Sequence, residues 1–152
     1  CEAINFHEVA ESIAEDVAQD HIADSMTFSY NVPDDCLVFG HKSLLVNAML
    51  NLIYNAARHS GGTAISLDWI GERDGRQIFT FADNGIGVDP EHLGRLFDLF
   101  YRVDSGRSRK NGGSGLGLPL VQRIITAMGG EITVDNAPDG GLRFTFSLPV
   151  PR

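Results

Sequence analysis

Residues 42–59 read KSLLVNAMLNLIYNAARH, and this stretch predicts one long helix with two unlike faces. Asn47, Asn51 and Asn55 recur at every fourth position, so at about 3.6 residues per turn they share one face with Arg58. We therefore expect a helix with a row of amide side chains on one side and a core-facing surface on the other. The residues of that apolar surface are Leu45, Val46, Met49, Leu52, Ile53, Ala56 and Ala57.

The asparagine row lowers helix stability, which points to a role other than helix formation. Asparagine is roughly 0.6 kcal/mol less favourable than alanine in a helix. Amide oxygens suit hard cations such as Mg²⁺, and amide N–H groups donate to phosphate oxygens. A row of this kind that ends at Arg58 is consistent with a metal–phosphate site. A solvated polar face with incidental asparagines is the alternative, and the row alone does not distinguish the two.

Upstream of this helix the pattern alternates between strand and helix. A short strand at residues 4–6 and a helix at 7–20 precede two strands at 26–32 and 36–39. We predict that these two strands pair as a hairpin around the turn at 33–35, which reads Pro-Asp-Asp.

Downstream of the helix a second hairpin is predicted from residues 63–71 and 76–83. Residues 84–115 are rich in glycine, and we interpret them as a long, mobile, functional loop with small helical pieces. A helix over 116–128 follows, with Leu120, Val121, Ile124, Ile125 and Met128 at core spacing, and then strands at 131–135 and 142–148. The predicted fold class is α+β, a two-layer sandwich in which three main helices cover one face of a mixed, mostly antiparallel sheet.

Asp83 stands out because an acid falls on the core face of a predicted strand. The two-residue period of a strand places Asp83 on the same face as Phe79 and Phe81. A carboxylate there can accept a hydrogen bond from the exocyclic amino group of adenine, and Gly85 and Gly87 let the backbone lie close to the ring. The alternative is an ordinary turn acid in an Asp-Asn-Gly sequence.

A glycine-rich segment leads into the last predicted helix. Residues 112–118 read GGSGLGL, and glycine amides at the positive end of a helix bind phosphate readily. The spacing matches neither a P-loop, which needs a following Gly-Lys-Ser/Thr, nor Gly-x-Gly-x-x-Gly, since Leu118 stands at the last glycine position. Residues 101–110 add four basic side chains, Arg102, Arg107, Arg109 and Lys110, against one acid. A small anionic ligand is expected here.

Composition excludes several other classes of protein. The net charge of −8 argues against nucleic acid as a partner, because binding of the phosphate backbone needs an excess of Lys and Arg. Cys1 and Cys36 have neither the number nor the spacing of a zinc site or a disulfide scaffold, which favours a reducing compartment. The 152 residues suffice for one domain, and no apolar run reaches the roughly 18 residues of a membrane span.

Four blocks in fixed order resemble the histidine-kinase branch of the GHKL, or Bergerat-fold, ATPase superfamily, which also includes gyrase, heat-shock chaperones and mismatch-repair ATPases. Asn51–Ser60 resembles the N box, Asp83–Gly87 the G1 box, Phe97–Arg102 the F box and Gly113–Leu118 the G2 box. The resemblance implies a domain that binds ATP and Mg²⁺ and phosphorylates a histidine. It covers nearly all of residues 1–152, with residues 101–115 as the ATP lid and with Phe97 and Phe100 packing its hinge.

The resemblance also implies individual roles. Asn55 is expected to coordinate Mg²⁺, with Asn51 supporting the metal and the phosphates, and Asp83 is expected to bind the adenine amino group. Asn55, Arg58 and Arg102 form the expected catalytic set. His59 departs from the tyrosine common in the family, and the lid aligns too poorly to assign a phosphate contact to Arg107, Arg109 or Lys110. The full nucleotide-binding set is Asn51, Asn55, Arg58, His59, Asp83, Gly85, Ile86, Gly87, Tyr101, Arg102, Gly113, Gly115, Leu116 and Gly117.

The family's phosphoacceptor histidine belongs to a separate helical dimerisation domain, which we expect this chain to lack. Only His7-Glu8 begins like the acceptor motif, and Val9-Ala10-Glu11 breaks it. The implied partners are that helical domain and a response regulator, with dimerisation only in the full-length protein. We expect a cytoplasmic domain of a membrane-anchored sensor, with little activity in isolation. An ATPase of the gyrase or chaperone type and a degenerate, non-catalytic regulator-binding module are the alternatives.

Overall fold

Seven strands and four helices form the part of the chain described by the computed structural model, residues 1–20, 26–59, 61–99 and 117–151. The helices are α1 (Phe6–Asp20), α2 (Lys42–His59), α3 (Pro90–Leu93) and α4 (Gly117–Ala127). The strands are β1 (Glu2–Asn5), β2 (Thr27–Asn31), β3 (Leu37–Gly40), β4 (Ala64–Arg73), β5 (Arg76–Asp83), β6 (Glu131–Asn136) and β7 (Leu142–Pro149). In these ranges no helix is long and apolar enough to cross a membrane.

Five of the strands form one mixed sheet in the order β2-β4-β5-β7-β6. The pairs β4–β5, β5–β7 and β6–β7 are antiparallel, whereas β2 lies parallel to β4. The strands β1 and β3 form a separate antiparallel pair. The predicted α+β class with a mostly antiparallel sheet is therefore confirmed, as are α2 and the β4–β5 hairpin.

The predicted hairpin between residues 26–32 and 36–39 is wrong. The chain does turn at 33–35, where the Cys36 N–H donates to the Pro33 carbonyl oxygen at 3.1 Å. The two strands then separate, since β2 pairs with β4 and β3 pairs with β1. Pairing with β1 buries Val38 opposite Ile4, and that choice of partner depends on a distant strand rather than on the local turn. The predicted strand at 4–6 also ends earlier, because α1 already begins at Phe6.

The core lies on one face of the five-stranded sheet, beneath the helices. Alternate residues of β5 and β7 are buried, and their neighbours along each strand are half-buried. Phe79 and Phe146 are paired across these strands with ring centroids 5.1 Å apart, and Phe6 of α1 lies 4.2 Å from the Phe79 ring. These aromatic contacts fix α1 to the centre of the sheet.

The inward face of α4 is rotated slightly from the predicted one. The prediction that Leu120 lies in the core is wrong, since its side chain is 41% exposed, whereas Leu118 is buried. Val121, Ile124, Ile125 and Met128 are buried as predicted. At about 100° per residue, Leu118 lies at the edge of the arc of these buried side chains, whereas Leu120 lies about 40° outside it, beyond Ile124.

Candidate functional site

Asp83 ends β5 with its side chain on the buried face of the sheet. It is 8% exposed and shares its face with Phe79 and Phe81, as the alternation in the sequence predicts. Its Oδ1 accepts hydrogen bonds from the Gly85 N–H at 2.8 Å and from the Leu142 N–H at 3.3 Å. Burial raises the pKa of the Asp83 carboxyl, and the two backbone hydrogen bonds oppose that shift. The arrangement holds an acceptor oxygen in a largely apolar setting.

The loop after Asp83, residues 84–88, is fixed at its start by Asn84. The Oδ1 of Asn84 accepts hydrogen bonds from the N–H groups of Thr63 at 2.7 Å and Ala64 at 2.9 Å. Its Nδ2 donates to the Thr63 hydroxyl oxygen at 3.0 Å. A Cβ added at Gly62 would overlap Asn84 Oδ1, so the chain that leaves α2 lies directly against this loop.

The C-terminal end of α2 is close to the loop that follows Asp83, because residues 61 and 62 lie against that loop. Asn55 is half-buried there, and Arg58 and His59 are exposed. A Cβ added at Gly61 would lie 3.9 Å from Cγ2 of Ile86, which is itself 83% exposed. Chain continuity thus brings the C-terminal end of α2 to the side of this loop, and the contact of Asn55 with a nucleotide stays a prediction.

Arg58 lies along α2, over a neighbouring aromatic ring. Its guanidinium carbon is 5.9 Å from the centre of the Tyr54 ring, one turn earlier on the helix. This contact holds the cation at the surface near the end of the helix. Its predicted role toward phosphate remains a prediction.

Asn51 connects the asparagine row to the start of α4. Its Nδ2 donates to the carbonyl oxygen of Asn47 at 2.9 Å and to Asn47 Oδ1 at 2.6 Å. These bonds fix the amide, and its Oδ1 lies 3.5 Å from the position of a Cβ added at Gly117. An oriented amide oxygen beside the amino end of a helix suits a magnesium–phosphate pair, so the residues present fit the expected Mg²⁺.

All of the predicted lid, residues 101–115, falls outside the described residues. Phe97, at its near side, is half-buried and meets the ring of Phe144 edge-on at 6.1 Å. The predicted site residues outside the described ranges are Tyr101, Arg102, Gly113, Gly115 and Leu116, together with Phe100, Arg107, Arg109 and Lys110.

Sequence reasoning missed three residues that shape the site. Asn84 could have been noted because it follows Asp83 directly in the G1 block. Leu142 contributes only its backbone N–H, and Asn136 bonds the backbone of Val88 from the end of β6. No local sequence pattern marks Leu142 or Asn136, because strand pairing brings them beside a loop that is distant in sequence.

Residues 40–152 match the family described as histidine kinase-, DNA gyrase B-, and HSP90-like ATPases. The chain belongs to this family. The signal transduction histidine-protein kinase BaeS of Escherichia coli is 36% identical over 128 residues, which cover 84% of this chain. The chain spans only 27% of the length of BaeS.

Solved structures place the chain in the kinase branch of the family. The mycobacterial sensor histidine kinase MprB matches with a TM-score of 0.83 and 28% identity over 98% of each chain. The ATP-binding domain of PrrB from Mycobacterium tuberculosis matches with a TM-score of 0.79 and 27% identity, over 99% of this chain and 98% of that one. The chain is thus a histidine-kinase catalytic domain of the ATPase family.

Proposed function

We propose that this domain binds Mg-ATP and transfers the γ-phosphoryl group to a histidine on a separate dimerisation domain. The buried carboxylate of Asp83 carries the proposal, because an acceptor at the end of a core strand can pair with the adenine amino group. The similarity to PrrB, whose solved structure is that of an ATP-binding domain, supports the choice of nucleotide.

The residues of this chain act in the proposed reaction by binding and orienting the nucleotide. Asp83 would hold the purine, and Asn51 and Asn55 would hold Mg²⁺ and the phosphates from α2. A bound Mg²⁺ would neutralise charge on the phosphate oxygens. Arg58 and Arg102 would stabilise charge that spreads over the transferred oxygens.

The proposed chemistry is an in-line displacement with a nucleophile from outside this chain. A nitrogen of the acceptor histidine bonds to the γ-phosphorus while the bond from that phosphorus to the β–γ bridging oxygen breaks, and ADP leaves. Because the chain supplies position and charge rather than the nucleophile, we expect little turnover from the domain alone.

The partners and location follow from this proposal. An aspartate of a response regulator would take the phosphoryl group from the histidine, as two-component signalling requires. The dimerisation domain would form the homodimer of the full-length sensor. The domain would work in the cytoplasm, where ATP is available, as part of a sensor anchored in the bacterial inner membrane.

Replacing Asp83 by asparagine tests the proposal at its central observation. Asp83→Asn keeps the shape and the Oδ1 acceptor but adds N–H donors and removes the charge, so we expect at least about a hundredfold weaker binding. Isothermal titration calorimetry with a non-hydrolysable ATP analogue and Mg²⁺ measures the loss of affinity. Asp139→Asn, in the exposed turn before β7, is the matched control. Unchanged affinity in Asp83→Asn would overturn the assignment.

A further inference from the structure

One side chain holds the far end of the loop that follows Asp83. Asn136, the last residue of β6, accepts a hydrogen bond at Oδ1 from the Val88 N–H at 3.0 Å. Its Nδ2 donates to the Val88 carbonyl oxygen at 2.7 Å. Both polar atoms of the amide therefore bind the backbone of a single residue, as a neighbouring strand would.

The same corner of the sheet holds Asp83. Asn136 is paired in register with Leu142 of β7, and the Leu142 N–H donates to Asp83 Oδ1. A Cβ added at Gly87 would lie 2.5 Å from Asn136 Oδ1, so the loop is in direct contact with the asparagine. The position of the loop relative to the Asp83 carboxylate thus depends on the end of β6.

We propose that Asn136 is a positioning residue for the nucleotide, acting through Val88 rather than by touching the ligand. The inference rests on the proposed function, since it assigns to Asn136 the geometry of that same pocket. Between the anchors at Asn84 and Val88 the loop contains two glycines, which have the largest conformational entropy of any residue. Without the Asn136 bonds, ATP must order this segment as it binds, and affinity falls.

Two substitutions at this position test the proposal. Asn136→Ala removes both bonds, and Asn136→Asp, which is nearly the same size, keeps the acceptor but sets a carboxylate against the Val88 carbonyl oxygen. We expect both variants to bind a non-hydrolysable Mg-ATP analogue about tenfold more weakly than the wild type. Amide hydrogen exchange, monitored by NMR, should be faster at the Val88 N–H in the variants than in the wild type, while distant core amides keep their protection.

Asn5→Ala is the matched control. Asn5 also makes two hydrogen bonds to backbone groups, from Nδ2 to the Asp34 carbonyl oxygen and to Oδ1 from the Glu8 N–H, at the end of β1 in the other sheet. We expect it to lower the melting temperature without changing nucleotide affinity. A purely structural role for Asn136 would give the same pattern.

The outcomes separate this inference from the proposed function. If the Asn136 variants bind within about twofold of the wild type while Asp83→Asn does not bind, the positioning role is overturned and the proposed function stands. Unchanged exchange at Val88 in both variants also overturns it. If the wild-type chain binds no nucleotide, the proposed function fails and the positioning role falls with it.

Discussion

Asp83 lowers the stability of the free domain while serving the proposed pocket. Burial raises its pKa above the ordinary value of 3.8. Between that value and the raised one, the folded state binds more protons than the unfolded chain, so the free energy of unfolding falls as pH rises through the interval. At neutral pH the ionised side chain therefore carries its full destabilising effect.

Asp83→Asn should accordingly raise stability at neutral pH even as it removes nucleotide binding. An asparagine Oδ1 can still accept from the Gly85 and Leu142 N–H groups, and no charge is desolvated. Urea unfolding at neutral and at acidic pH measures the difference, which should shrink as the pH falls below the ordinary pKa. A less stable variant at neutral pH would contradict this account.

Asn55 should matter for phosphoryl transfer far more than for folding. Asn55→Asp puts a negative charge beside the predicted phosphates and removes the amide donors, so we expect transfer to fall at least about a hundredfold. The measurement is acid-labile phosphate on an added histidine-bearing helical domain, with circular dichroism to check the fold. Asn31→Asp makes the same change at the exposed end of β2, outside the candidate site, and should retain transfer. Equal losses in both would contradict a specific role for Asn55.

The hydrogen bonds of Asn84 to the start of β4 should stabilise the domain although the residue is exposed. Asn84→Ala removes three hydrogen bonds and leaves two N–H groups without their side-chain acceptor, which should cost about 2 kcal/mol. Thr63→Ala removes one of the three bonds and should cost about 0.5–1 kcal/mol. Chemical denaturation measures both, and equal costs would show that the backbone acceptor bonds contribute nothing.

Elements with local signals were predictable from the sequence, and those that depend on distant partners were not. Neighbouring residues in the sequence are enough to predict the helical period of α2 and the turn between β4 and β5. The strand that pairs with β2 cannot be predicted in this way, because β4 lies beyond β3 and α2 along the chain. Leu120 was misplaced for a similar reason, since it lies at the edge of the apolar side of α4, and its exposure depends on what packs there rather than on the helical period.

The site was predictable to the same limit. The two-residue alternation of a strand predicts that the Asp83 side chain lies on the buried face of the sheet. The four-residue spacing of the asparagines predicts that they share one face of α2. The bonds of Asn136 to Val88 join residues far apart in sequence, and nothing near either residue predicts them. Motif spacing thus predicted where the candidate site lies, whereas the bonds that support its loop required the three-dimensional fold.

The stability of the whole domain should depend strongly on Phe6, because this residue joins α1 to the sheet. It is fully buried against Phe79 and Phe146. Phe6→Ala should cost about 3–5 kcal/mol in the free energy of unfolding, and Phe6→Leu less. Phe39→Ala is the matched control, since Phe39 is 39% exposed and should cost under about 1 kcal/mol. Denaturant titration of the three variants would refute this prediction if their costs were alike.

The parallel pairing of β2 with β4 also determines the order in which the sheet can close. Residues 32–63 lie between the two strands, so β2 can join only after a long loop has closed and α2 has crossed to its place. The β4–β5 and β6–β7 hairpins face no such delay and can form early. Until β2 arrives, the outer edge of β4 presents unpaired backbone groups. That edge is where an incompletely folded chain would recruit a strand from another molecule.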